Sequence, residues 1–181
     1  IATGSIVKKL KTNGNAKELH YLRTIKDSIK IREKLRKAKN ITIIGAGYIG
    51  LEIASVAIKK NLQVRILEME NRVMSRVVSA EVSDFFQNKH QSEGVKFKLN
   101  TYITQIEDQG KQKKIICSDG SYFISDVVIV GVGIEPNNDL AKISGLKCNN
   151  GILVDDNGQT SDPHIFAVGD CSNHHNKIFK Q

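Results

Sequence analysis

Three glycines, at positions 45, 47 and 50, and a carboxylate at 68 have the types and spacing to do chemistry in this sequence. The run ITIIGAGYIGLE, Ile41 to Glu52, leads four mostly β-branched residues into the triplet, and apolar residues recur with helical spacing at Ile49, Ile53, Val56 and Ala57. Strand, tight turn and helix are therefore expected. Gly45 would permit the turn, Gly47 would let the backbone approach a pyrophosphate, and Gly50 would let the helix pack closely on the strand. The helix would then present free N–H groups and its positive dipole end to the phosphates. Glu68 closes the next strand pattern, QVRILE. There a carboxylate accepts hydrogen bonds from the adenosine ribose hydroxyls and repels a 2′-phosphate, which favours NAD over NADP.

Other residues near this turn keep two readings. Arg72 and Arg76 could contact phosphate or adenine, or be ordinary exposed arginines. Glu52, early in the phosphate helix, could stabilise the helix dipole or reach the nicotinamide end of the cofactor. Cys117, Cys148 and Cys171 are widely spaced, with no Cys-x-x-Cys pair, and read as structural or incidental thiols of a reducing compartment. His174 and His175 beside Cys171 have poor spacing for a metal. No metal ligand and no catalytic nucleophile is expected.

The elements around these residues predict an α/β fold. Thr24 caps an expected helix with Ile31, Leu35 and Ala38 on one face, ending near Asn40. Strand, glycine turn, helix and QVRILE make one βαβ unit. A helix from about Ala80 is expected to turn Val82, Phe85 and Phe86 inward, and VKFKLN alternates as a half-buried strand does. ITQIED, KKIICSDG and SYFISD are separated by DQGK and Asp119-Gly120, which predicts an antiparallel three-stranded β-meander in the crossover position. DVVIVGVG then reads as a buried parallel strand, and ILVD and IFAV as later strands. The expectation is a Rossmann-like dinucleotide-binding domain with a parallel sheet and a meander crossover.

Composition sets the outer bounds. With 181 residues, 40% of them hydrophobic and 25% charged, the chain can bury a core of ordinary domain size. Its apolar runs are too short to span a bilayer, and no signal sequence is visible, so a cytoplasmic location is expected. The net charge of +8 concentrates in RTIKDSIKIREKLRKAK, which suits an acidic partner or a solvated helix face. IATGS, at the start, reads as the end of a buried strand entering a glycine turn, so the chain is expected to be a piece of something longer.

Several segments in order, IATGS, HYLRT, GAGYIGLE, ILE, RVMSRVVSAEV, VIVGVGIEPN and TSDPHIFAVGDC, resemble the FAD/NAD(P)-dependent pyridine nucleotide-disulfide oxidoreductase superfamily, and most of all its ferredoxin and rubredoxin reductase branch. The resemblance implies that Gly45, Gly47, Tyr48, Ile49, Gly50, Glu68 and Arg76 line an NAD site, with Glu52 near the nicotinamide and Gly131 and Gly133 forming a second close approach. It implies that Ala2, Thr3 and Gly4 touch FAD and that Asp170 hydrogen-bonds the flavin's ribityl or pyrophosphate region; capping a helix is the plain alternative for Asp170. Ile6 and Val7 stand where relatives carry basic and proline residues. The implied division is 1–23 and 146–181 as pieces of an FAD domain, with 24–145 as the NAD domain. FAD is expected to be poorly retained by this stretch alone. The implied activity is hydride transfer from NADH to FAD, then electron transfer to a small acidic iron–sulfur or rubredoxin-type acceptor. An NADH oxidase, a nitrite reductase flavodomain, an apoptosis-inducing-factor-like protein and an inactive NAD-binding fragment are the alternatives. Membrane and nucleic-acid partners are not expected, and a homodimer is left open.

Overall fold

The computed structural model describes residues 1–174, so His175 lies outside the described residues. The elements in chain order are β1 (Ser5–Val7), β2 (His20–Tyr21), α1 (Ile25–Leu35), β3 (Asn40–Ile44), α2 (Tyr48–Ile58), β4 (Gln63–Leu67), α3 (Ala80–Ser92) and β5 (Lys96–Lys98). They continue with β6 (Ile103–Gln109), β7 (Gln112–Cys117), β8 (Tyr122–Ser125), β9 (Val127–Val130), β10 (Ile134–Pro136), α4 (Asp139–Ile143), β11 (Ile152–Leu153) and β12 (Ser172–Asn173). The chain forms two compact units, Lys9–Val132 and a second made of Ile1–Lys8 with the described residues from Gly133 onward.

In the first unit, five parallel strands run in the order β2-β9-β3-β4-β5, and β6-β7-β8 form a separate antiparallel meander. The central strands are apolar on both faces because both are covered. Ile41, Ile43, Val64 and Ile66 pack in one cluster with Leu51, Ala54 and Ala57 of α2. Ile44, Leu67, Val128 and Val130 pack in another with Ile106 and Ile115 of the meander. Buried parallel strands read as continuous apolar runs for this reason. Thr42 interrupts the run, and its hydroxyl bonds that of Ser125, tying β3 to β8. Positive φ at Gly110 and Gly120 makes both hairpin turns of the meander.

Local signals account for the helix starts. Thr24 Oγ1 accepts from Asp27 N–H at 3.2 Å while Asp27 Oδ2 accepts from Thr24 N–H at 2.8 Å, a reciprocal capping box at α1. The helix ends at Leu35 rather than near Asn40, although Ala38 still packs on the same cluster. In α3 the expected inward face is wrong. Val82, Phe85 and Phe86 are 40%, 65% and 37% exposed, and the buried position is Ser83, whose hydroxyl donates to Val73 O at 2.6 Å and so sets the helix rotation. In α2, Ile53 and Ala57 face inward as expected, but Ile49 and Val56 do not; Gly50 and Ala54 take the inner face.

The second unit pairs β1 antiparallel with β10 and β11 parallel with β12, around Ala141, Leu146, Ile152, Ala167 and Cys171. The strand near its start follows Gly4 instead of ending there. IFAV forms no ladder: Phe166 makes one isolated bridge to Gln159, and Ile1 exchanges hydrogen bonds with Phe166 and Val168. Among the described residues, no helix is long and apolar enough to cross a membrane.

His20 is buried in the edge strand β2. Burial pushes its imidazole below the ordinary 6.5, with Glu18 pulling weakly the other way, and burial does the same to His90 against Glu93. Below pH 6.5 the unfolded chain therefore binds more protons than the folded one, and stability rises with pH through that window. The denaturation midpoint is expected to be flat above about pH 6.5 and to fall as pH drops toward 5, with His20→Gln removing part of the slope. A flat midpoint from pH 8 to 5 would contradict a costly buried imidazole.

Candidate functional site: the glycine turn and its carboxylate

The carboxyl ends of β3, β4 and β9 meet at the glycine triplet, where ligands bind in open parallel sheets. Gly45 has φ of +103°, and a Cβ there would lie 2.3 Å from Gly131 O. A Cβ on Gly50 would lie 2.2 Å from Gly45 O, so α2 is seated directly on the turn. Gly47 differs: a Cβ there meets nothing within 4 Å. Its missing side chain leaves room above the turn and relieves no internal contact.

That room lies against the start of α2. No side chain caps this helix, and the N–H groups of Tyr48, Ile49 and Gly50 have no acceptor within the helix. Tyr48 and Ile49 are 56% and 39% exposed beside it. Glu68 follows β4 directly: Oε2 accepts from Ala46 N–H at 2.6 Å and Oε1 from Glu70 N–H at 2.9 Å. A carboxylate has about four lone-pair sites, so two remain for further donors. An uncapped helix end, a backbone with no Cβ in the way and an anchored carboxylate fit the pyrophosphate and the adenosine ribose of a dinucleotide.

Of the remaining residues singled out by sequence, Glu52 is exposed on α2 and Arg76 is exposed on the turn after Glu68. Gly131 belongs to the unit that holds the glycine triplet, and Gly133, with φ of +111°, to the other. The second unit brings the expected flavin residues together. Thr3 Oγ1 donates to Asn137 O, Asn137 N–H donates to Gly4 O at 2.9 Å, and Ser5 Oγ donates to Asp170 Oδ2 at 2.8 Å. Ala2, Thr3 and Asp170 are exposed. Asp170 lies in a 3-10 turn, Gly169–Cys171, rather than at the cap of an α-helix.

Sequence reasoning missed two participants and the role of a third. Ala46 donates to Glu68, and Met74 adopts φ of +49° with its N–H on Ala46 O at 3.0 Å; both act through backbone, which has no residue-type signature. Arg72, singled out as a contact to phosphate or adenine or as an exposed arginine, instead bonds backbone carbonyls of the next turn. A cavity of about 620 Å³ opens elsewhere, at the amino ends of β3 and β4 beside Ile58 and Asn61, the end of the sheet away from the turn. Among the described residues no cluster of His, Cys, Asp or Glu could hold a metal ion.

Sheet order, glycine turn and terminal carboxylate define a Rossmann-like dinucleotide-binding protein. The chain belongs to the pyridine nucleotide-disulphide oxidoreductase family, whose profile matches residues 1–180. It is 41% identical to putidaredoxin reductase CamA of Pseudomonas putida over 169 residues, covering 92% of this chain and 40% of that protein. It is 35% identical to a rubredoxin-NAD(+) reductase of the same species over 181 residues, covering 99% of this chain and 47% of the relative. The crystal structure of the ferredoxin reductase for the CYP199A2 system of Rhodopseudomonas palustris superimposes with a TM-score of 0.91 at 36% identity, over 99% of this chain and 45% of that one. The chain thus spans less than half the length of these relatives.

The contrast between Gly47 and Gly50 gives a test. Gly47→Ala should fold, at a cost of no more than about 1 kcal/mol, and lose most of its affinity for a dinucleotide. Gly50→Ala should cost about 1–3 kcal/mol or more, because its methyl group meets backbone. Thermal denaturation and calorimetric titration of both variants separate the two effects. Equal destabilisation would contradict the open space at Gly47.

Proposed function

We propose that this chain is the NAD-binding part, with flanking FAD-domain segments, of an NADH-dependent flavoprotein reductase. The unit Lys9–Val132 holds NAD, and the segments around Thr3 and Asp170 contribute to the flavin side. The observation that carries the reading is Glu68, fixed by Ala46 and Glu70 beside an uncapped helix start. When bound, NADH supplies a hydride and FAD converts the electron pair into single-electron steps.

This chain's own residues bind and orient. The first N–H groups of α2 hold the pyrophosphate, and Gly47 lets it come close. Glu68 accepts from the ribose hydroxyls, and Arg76 lies over the adenosine end. Tyr48 and Ile49 cover the cofactor, Glu52 faces its nicotinamide half, and the chain bends close to it at Gly131. Asp170 accepts from the flavin's polar chain while the Ser5 hydroxyl donates to its Oδ2. Among the described residues, no side chain is assigned a role as nucleophile or metal ligand.

The electron acceptor we propose is a small acidic iron–sulfur or rubredoxin-type protein, in the cytoplasm. The similarity to putidaredoxin and rubredoxin reductases supports it, as does the excess of basic residues from Arg23 to Lys39. Glu18 offsets part of that charge, 2.7 Å from Lys34 Nζ and 3.6 Å from Lys30 Nζ. The remainder would speed encounter more than it strengthens binding.

Titrating the chain with NADH and NADPH tests the cofactor assignment. NADH is expected to bind more tightly, because the Glu68 charge repels a 2′-phosphate. Glu68→Ala should narrow the gap by about 1–3 kcal/mol, the worth of a hydrogen bond to a charged group. Equal or tighter NADPH binding by the unaltered chain would put an arginine, and not Glu68, in control of the pocket.

A further inference from the structure

Arg72, four residues beyond Glu68, has its guanidinium turned onto the backbone of its own loop. Nη2 donates to Ser75 O at 2.6 Å and Nη1 to Val78 O at 3.0 Å, with a longer contact to Ser79 O at 3.4 Å. A planar fork of donors suits several carbonyls converging across a turn; a lysine ammonium would not span them. The start of the turn is also fastened from two sides. Met74 N–H donates to Ala46 O in the glycine turn, and the buried Ser83 hydroxyl of α3 donates to Val73 O. Met74 itself is held left-handed, with Val77 and Val78 N–H donating to its carbonyl. Such a conformation is disfavoured for a residue with a side chain and persists because its surroundings impose it.

Arg76 projects from this turn, between the two carbonyls that Arg72 grips most closely. We propose that Arg72 is a positioning residue for the adenosine half of the dinucleotide: it fixes the turn Val73–Ser79, and thereby Arg76, without touching the ligand. The proposal rests on the NAD reading above and adds to it a residue that acts through another. Its physical basis is preorganisation. Loss of the clamp removes its hydrogen bonds and lets Met74 relax, so the Met74–Ala46 link loosens and Arg76 must be ordered anew at each binding event.

The test is a double-mutant cycle on the whole 181-residue chain, with NADH and ADP-ribose as calorimetric probes and thermal denaturation alongside. Arg72→Ala is expected to weaken both probes about tenfold, and the same change in an Arg76→Ala background to weaken them less than about twofold. Arg72→Lys should recover only part of the loss. Ser83→Ala loosens the other fastening and should act in the same direction, again only while Arg76 is present; with Arg72→Lys it carries the test if Arg72→Ala does not fold. Equal weakening with and without Arg76, or none at all, overturns the positioning role while NADH still binds the parent chain. Failure of the parent chain to bind either probe overturns the NAD reading itself, and this inference with it.

Discussion

Backbone meets backbone where β3 ends, α2 begins and β9 ends, and the site depends on that approach. Gly45 packs on the Gly131 carbonyl and Gly50 on the Gly45 carbonyl, at separations that leave no room for a methyl group. Because α2 sits this close, its axis starts at the sheet's carboxyl edge and its unpaired N–H groups open onto the space above Gly47. Moving the helix outward to admit a side chain would displace those donors and the apolar contacts of Leu51, Ala54 and Ala57 with the sheet.

A short hydrogen-bonded path joins that contact to the Glu68 carboxylate and the loop after it. Ala46, between the first two glycines, donates to Glu68 and accepts from Met74, so the turn, the carboxylate after β4 and the following loop form one assembly. Glu70 and Thr101 extend it: Glu70 N–H donates to Glu68 Oε1, and Thr101 N–H donates to Glu68 O at 2.9 Å. The carboxylate's orientation is thus set by backbone groups before any ligand arrives, which lowers the ordering cost of binding. Arg72 and Ser83 do the same for the loop that follows.

Much of this was legible in the sequence where a residue type has one physical use. The glycine triplet, the carboxylate ending QVRILE, the Thr24 cap and the Gly110 and Gly120 hairpin turns each match a local rule, and with them came the parallel sheet and its meander. Rotations of amphipathic helices were less legible. Val82, Phe85 and Phe86 looked like an inner face by hydrophobicity, yet the hydroxyl of Ser83 sets how α3 lies. IFAV looked like a strand by composition, but a ladder depends on its neighbours, and there the pairing stops at an isolated bridge from Phe166 to Gln159. The Ala46 and Met74 links were invisible because a backbone N–H has no sequence signature.

The central claim is that a dinucleotide binds at the uncapped start of α2, with its adenosine beside Glu68. Amide chemical-shift mapping of the isotope-labelled chain during an NADH titration tests it most directly. The account predicts saturating shifts concentrated at Gly47, Tyr48, Ile49 and Gly50, and at Ala46 and Glu70, whose N–H groups hold the Glu68 carboxylate. Shifts confined to the basic helix α1, or to the cavity at the amino ends of β3 and β4, would contradict it.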